Sequence, residues 1–290
     1  MSNPSLTVVV PAYNEQAALP TSLPPLLECC ERRGWSLIVV DDGSTDGTAG
    51  ILDAFSDREC LSVIRHKLNR GYGGALKSGI AAVESEYVVT VDADGQHRAE
   101  DLEVLLEELI AKDADMVIGR RTGAPTAGWY RELGKALIRF VAHVLMEFKV
   151  HDINSGMKIY DSRLAQRYLH LCPSTMAFSD VITLVFISER RRVLERDIQV
   201  RPRTDGESTI STATAVDTLR EILNIVVLFN PMRIFLPIAA SSVLLGILWG
   251  LPIVLRGSGV SVGAMLAILT GTVFFLLGLL AEQVSQIRRR

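Results

Sequence analysis

A chain of 290 residues, 48% hydrophobic and 22% charged, is long and apolar enough for one sizeable folded domain plus an appendage, which excludes a disordered polypeptide. Its formal net charge of −3 is spread over mixed acidic and basic segments, so no global basic field points to nucleic acid as a partner. Cys29, Cys30, Cys60 and Cys172 show no paired metal-ligand spacing and read as reduced thiols facing a cytosol.

The start, Met1 to Leu6, lacks the basic residues and apolar core of a signal peptide, so the N-terminal domain is expected to stay on the side where it is made. Leu6–Val10, Ser36–Val40, Tyr87–Val91 and Asp115–Gly119 are predicted strands, with helical segments between several of them, the signature of a mostly parallel α/β sheet. The strands after Trp35 and before Asp92 are nearly continuous aliphatic runs, as expected of central strands covered on both faces. Polar clusters follow them: Pro11-Ala12-Tyr13-Asn14-Glu15, Asp41 through Gly47, Asp92 through Gln96, and Arg120-Arg121. In an open parallel sheet such loops share the carboxyl edge, where ligands bind.

Between residues 131 and 148 apolar side chains recur at helical spacing among Arg131, Lys135 and Arg139, a pattern that fits an interfacial helix and a core-facing helix with a solvated basic side equally. A second amphipathic stripe, Val216 to Val227, ends at Asn230-Pro231, and its place before an apolar segment favours a membrane-surface role. Ile234–Leu255 and Val262–Ala281 are uncharged runs of roughly 20 residues each, the length needed to cross a bilayer; a buried helical hairpin in a soluble core is the alternative. Arg233 and Arg288 to Arg290 flank the pair while the intervening turn carries Arg256 alone, so both ends and the preceding domain are expected in the cytoplasm. The expected division is a catalytic domain over residues 1–212, an interface helix over 213–232 and a membrane hairpin over 233–290.

Asp92 and Asp94, one residue apart at a strand end, offer hard oxygen ligands to Mg²⁺ or Mn²⁺, with Gln96 a neutral oxygen ligand and His97 a nitrogen donor beside phosphates. The same aspartates would also suit a plain cap on the helix that begins near Ala99. Asp41 and Asp42 sit where carboxylates accept hydrogen bonds from a ribose or a base, whereas Gly43 through Asp46 suit an ordinary turn and cap. Asn69 through Gly74 permits close backbone approach and opens a helix at Ala75, though glycines before a helix are a weak signal alone.

Val10-Pro11-Ala12-Tyr13-Asn14-Glu15, Asp41-Asp42-Gly43-Ser44-Thr45-Asp46-Gly47-Thr48 and Asp92-Ala93-Asp94-Gly95-Gln96-His97 resemble the family 2 glycosyltransferases of the GT-A fold. More narrowly, the segment from about residue 6 to 235 and the two-span end are similar to the polyprenyl and dolichyl phosphate sugar synthases. The resemblance implies a nucleotide-sugar donor (UDP- or GDP-linked), a polyprenyl phosphate acceptor, inversion at the sugar C1, a bilayer-bound protein and a homo-oligomer. It places Pro11, Ala12, Tyr13, Glu15, Asp41, Asp42, Gly71, Lys77, Asp92 and Ala93 on the donor and Asp92, Asp94 and Gln96 on the metal. Arg120 or Arg121, Arg131, Lys135 and Arg203 would meet the acceptor phosphate, the arginines by bidentate contact.

Two departures stand out: Lys135 replaces a serine frequent in the family, and Thr209 a lysine frequent in a late loop. Asp152, in Asp152-Ile153-Asn154-Ser155-Gly156, could orient a sugar hydroxyl, act as a base, or only cap a turn. Transfer to a sugar or lipid hydroxyl is the competing activity, disfavoured because only two spans are present and the Gln-x-x-Arg-Trp motif of processive synthases is missing. A non-catalytic nucleotide-binding scaffold is the third possibility; it has no evident need for a carboxylate pair beside Gln96.

Overall fold

The computed structural model describes residues 4–122, 150–153, 155–200, 227 and 230–288. Arg131, Lys135, Arg203, Thr209 and nearly all of both amphipathic stretches lie outside the described residues. The described residues form two units, an α/β unit up to residue 200 and a helical unit from residue 227.

In the α/β unit, β1 (Leu6–Ala12), β2 (Ser36–Asp41), β3 (Leu61–Arg65), β4 (Tyr87–Thr90), β5 (Met116–Thr122), β6 (Lys158–Asp161) and β7 (Val193–Gln199) form one sheet in the order β3-β2-β1-β4-β6-β5-β7. Every neighbouring pair is parallel except β4–β6 and β5–β6. All seven residues of β1 are buried, which is why its sequence is aliphatic without alternation. The sheet is therefore mostly parallel, as the strand pattern implies, with one reversed strand that the pattern does not reveal.

Helices α1 (Leu19–Arg33), α2 (Thr48–Asp53), α3 (Tyr72–Ala81) and α4 (Glu100–Ala111) connect the first five strands. Two further helices, α5 (Ser162–Tyr168) and α6 (Phe178–Ser188), precede β7. On α4, Leu102, Leu105, Leu106 and Leu109 are buried at helical spacing, while acidic Glu100, Asp101 and Glu103 lie in the first turn, where the helix dipole favours them. Leu19, Leu23, Leu26 and Leu27 of α1 join them in a core with β1, β2 and Trp35. Beyond β6, Phe186 of α6 packs between Tyr160 and Tyr168, with ring centroids 5.8 and 5.3 Å away.

Two expectations change. Arg120 and Arg121 do not follow a strand but lie inside β5, because pairing with β7 continues to Thr122 opposite Gln199. The glycine-rich run does not wait until Ala75 to become helical; α3 begins at Tyr72, with Gly71 at φ 85° as its cap.

In the helical unit, α7 (Met232–Leu255) and α8 (Val262–Arg288) have mean hydropathies of 2.2 and 2.3 over their most apolar windows, of which 11% and 17% is buried. So little burial does not fit the hairpin core of a soluble domain; both helices are long and apolar enough to cross a membrane. Small residues line their contact: a side chain on Gly246 would meet Ile268 and the Ala264 carbonyl, and one on Gly271 would meet Val243 and the Ala239 carbonyl. Ser242 Oγ donates across the seam to the Ala267 carbonyl at 2.8 Å.

Helix α3 lies so close to the sheet that a Cβ on Gly79 would press into Val9 and stand 3.1 Å from Val40 Cγ2. Alanine gains up to about 1 kcal/mol of helix propensity over glycine, but overpacking costs about 1–3 kcal/mol. We predict that Gly79→Ala lowers the thermal midpoint of the solubilised protein; a midpoint equal to or above that of the wild type would show that Val9 yields freely.

Candidate active site

The first two loops at the carboxyl edge are laced to each other. Asn14, at φ 55° in a left-handed conformation that asparagine tolerates, accepts the Thr45 N–H at 2.8 Å and donates its own N–H to Ser44 Oγ at 3.0 Å. The Glu15 N–H reaches Thr48 Oγ1 at 2.9 Å, and Gln16 Oε1 accepts the Gly47 N–H at 2.7 Å. Residues Ser44 to Thr48 thus clamp the loop that follows β1, leaving Tyr13 45% exposed.

Asp41 and Asp42 are both buried. Asp41 Oδ1 accepts the Ser44 N–H at 2.9 Å. Asp42 Oδ1 accepts from His66 Nδ1 at 2.6 Å and from the Arg70 N–H at 2.9 Å, and His66 Nε2 meets Ser78 Oγ at 2.8 Å. Asp42 therefore holds the loop between β3 and α3 at two points, and His66 ties that loop to α3. His66 and Ser78 escaped sequence reading because β3 is only half-buried and carries no aliphatic run.

The glycine run has a similar outcome. A Cβ on Gly71 would stand 2.5 Å from the Ser174 carbonyl oxygen, and one on Gly73 2.5 Å from that of Pro173. The close approach these glycines permit is to the chain before α6. Lys77, half-buried on α3, acts with its charge on the buried thiol of Cys172.

Asp92 is the hub of the opposite side. Its Oδ1 accepts the Tyr72 hydroxyl at 2.7 Å, its Oδ2 lies 3.9 Å from His97 Nε2, and its side chain keeps 32% exposure. Burial pushes this carboxyl up, but His97, the Tyr72 hydrogen bond and the Arg121 charge together hold it below the usual carboxylate range. Asp94 Oδ1 accepts the Gln96 N–H at 3.1 Å across Gly95, which turns at φ 72°. Neither aspartate caps α4: the cap position is Ala99, and no side chain bonds there.

Arg120 and Arg121 point to opposite faces, as neighbours on a strand must. Arg120 pairs with Asp197 on β7, at 2.5 and 2.9 Å, on the exposed surface. Arg121 grips Asp152 through Nε and Nη2, both at 2.9 Å, and through its backbone N–H at 3.1 Å. Burial raises the Asp152 carboxyl, but these Arg121 bonds and charge more than offset it, leaving the carboxyl below its ordinary value. The fold thus gathers Asp92, Tyr72, His97, Arg121 and Asp152 and leaves Arg120 apart.

Among the described residues no three His, Cys, Asp or Glu side chains gather as a metal cage. Asp92, ionised and partly open, and Asp94 beside it fit a hard divalent cation as an open site, with a ligand's oxygens completing the shell.

A sheet whose carboxyl edge carries this paired-aspartate site is that of a GT-A glycosyltransferase, and the chain matches solved structures of that fold. Mycobacterium tuberculosis glucosyl-3-phosphoglycerate synthase, solved with Mn²⁺, uridine-diphosphate-glucose and phosphoglyceric acid, superposes with a TM-score of 0.60 at 19% identity, over 77% of this chain and 80% of that one. Residues 7–170 match Glycosyl transferase family 2, and the chain belongs to that family; residues 230–287 match the GtrB C-terminal hairpin. Undecaprenyl-phosphate 4-deoxy-4-formamido-L-arabinose transferase of Sodalis glossinidius is 27% identical over 97% of this chain and 89% of its own length. The protein of the same name from Pectobacterium carotovorum is 28% identical over 98% and 89%.

A Cβ on Gly156 would overlap the Asp92 carboxylate, so this glycine leaves the room that Asp92 occupies. We predict that Gly156→Ala lowers sugar transfer more than Tyr72→Phe. The latter removes a hydrogen bond to a charged group, about 1.5–3 kcal/mol or roughly tenfold or more in kcat/KM. Steady-state rates check this, and wild-type turnover in Gly156→Ala would disprove that the contact matters.

Proposed function

We propose that this glycosyltransferase moves a hexose from a UDP- or GDP-sugar to polyprenyl phosphate, with inversion at C1, at the cytoplasmic face of the membrane. The curated relatives that match nearly the whole chain are named for undecaprenyl phosphate, and the terminal hairpin matches along with the catalytic domain. The observation that carries the choice of acceptor is Asp152. Both of its oxygens are engaged by Arg121 and its carboxyl is held low, which makes it a poor general base for a hydroxyl acceptor. A phosphate monoester, with a second pKa of about 6, is largely dianionic at pH 7 and needs no such base.

On this reading Asp92, Asp94 and Gln96 hold Mg²⁺ or Mn²⁺, and Tyr72 and His97 orient Asp92. Bound there, the metal supplies charge stabilisation to the departing diphosphate. Pro11, Ala12, Tyr13, Glu15, Asp41, Asp42, Gly71, Lys77, Asp92 and Ala93 make up the donor side, with the buried Asp42 acting through the loop it holds. Arg121, Arg131, Lys135 and Arg203 hold the acceptor phosphate, while Arg120, paired with Asp197 on the other face of β5, contributes least. Residues 1–212 are the cytoplasmic catalytic domain, 213–232 an interface helix and 233–290 a two-span hairpin through which the protein forms a homo-oligomer. Arg233 and Arg288 to Arg290 against the lone Arg256 support a cytoplasmic C-terminus.

The test is incubation of the purified protein with UDP- and GDP-sugars, Mg²⁺ or Mn²⁺ and undecaprenyl phosphate; sugar appearing only on a hydroxyl acceptor would refute the proposal. Asp94→Asn should abolish metal-dependent turnover while membrane insertion is kept. Arg131→Ala should raise KM for the lipid acceptor more than for the donor, and equal changes in both would remove Arg131 from the acceptor site.

A further inference from the structure

Lys158, the first residue of β6, is fully buried. Its ammonium donates to the Ile153 carbonyl at 2.7 Å, to Thr183 Oγ1 at 2.9 Å and to the Ser179 carbonyl. Three donors meet three acceptors, so the group is satisfied, yet none of these partners is a carboxylate. Its hydrogen bonds go to neutral groups, and Asp180, Asp152 and Asp92 act on it through their charge alone, so the buried cation remains costly compared with an apolar side chain such as methionine, which would fill similar space. Burial draws the Lys158 pKa down to about 8, so the ammonium still predominates at neutral pH. Packing alone does not account for a lysine here.

The segments it ties together do. Ile153 directly follows Asp152, which holds Arg121. Ser179, in the first turn of α6, follows Phe178, whose Cβ a side chain on Gly73 would meet at 2.9 Å, so α6 packs against the start of α3, where Tyr72 donates to Asp92. Thr183, one turn on, also donates to the Ser179 carbonyl at 2.9 Å. One ammonium therefore joins the loop bearing Asp152 to the helix that steadies Asp92. We propose that Lys158 is a positioning residue that fixes the Asp152–Arg121 pair relative to Asp92, by tying the backbone at residue 153 and α6 to β6. This inference rests on the reading that places both carboxylates at the reaction centre.

The test uses the solubilised full-length protein, with rates expressed per nucleotide-binding site counted calorimetrically with Mn²⁺ and whichever of UDP and GDP the wild type's donor carries. That normalisation removes any loss of folded protein. Displacement of reacting groups by about an ångström costs on the order of a hundredfold in rate. Lys158→Met is expected to lower kcat per site by about that factor with donor KM within roughly threefold. Thr183→Val, which keeps the side chain's shape and removes one of the three acceptors, should lower kcat per site by a smaller factor.

A double-mutant cycle with Asp152→Asn is the discriminating measurement. If Lys158 acts through the Asp152–Arg121 pair, the double variant loses much less than the product of the single losses. Losses that multiply, or an unchanged kcat in both Lys158→Met and Thr183→Val, overturn the proposal. Should Lys158→Met fail to fold, the cycle with Thr183→Val decides. The cycle is run on whichever sugar transfer the wild type performs, so failure to glycosylate undecaprenyl phosphate overturns only the assigned acceptor.

Discussion

The Thr90 hydroxyl donates to the Gly156 carbonyl at 2.9 Å, and from there β4 runs antiparallel to β6, with Thr90 opposite Lys158 and Tyr87 opposite Asp161. That pairing inserts a reversed strand between two parallel ones and sends the chain preceding it back to the carboxyl edge. Gly156 arrives against Asp92, and Asp152 beside Arg121. Were β6 parallel to β4, the chain that precedes it would leave from the opposite end of the sheet, and Asp152 and Gly156 would not reach the end where Asp92 emerges.

The same pairing sorts the charges. Arg120 and Arg121 are adjacent in sequence but face opposite ways on β5. One joins an exposed pair with Asp197, whose energetic worth is small; the other is drawn inward to Asp152. Asp42 is a parallel case on the other half of the sheet. Its carboxylate organises His66 and the Arg70 backbone, which makes it a support for the loop between β3 and α3 more than an open contact.

Much of this was legible beforehand where one physical cause dominates. The aliphatic runs of β1, β2 and β4 report double-sided burial, and the polar residues that end them mark the edge, so the fold class and the place of Asp92 at a strand end could be read directly. Strand β7 could not, because an edge strand tolerates the consecutive charged residues Glu195, Arg196 and Asp197, which hide its apolar pattern. Lys158 is silent in sequence, since a lone lysine in a short strand looks like a solvated residue until its three acceptors are seen. The run Gly71 to Gly74 announces close approach but not to what, and the partner proved to be the backbone of Pro173 to Thr175.

Strands β3 and β7 close the two sides of the sheet. Their outward positions carry Arg65, Arg196 and Asp197, salt-bridged to Asp53, Glu108 and Arg120. A foreign strand docking on either side would have to strip water from these ion pairs, so the sheet resists being extended by a second copy of itself. Neither side of the sheet therefore offers another chain a flat, uncharged template.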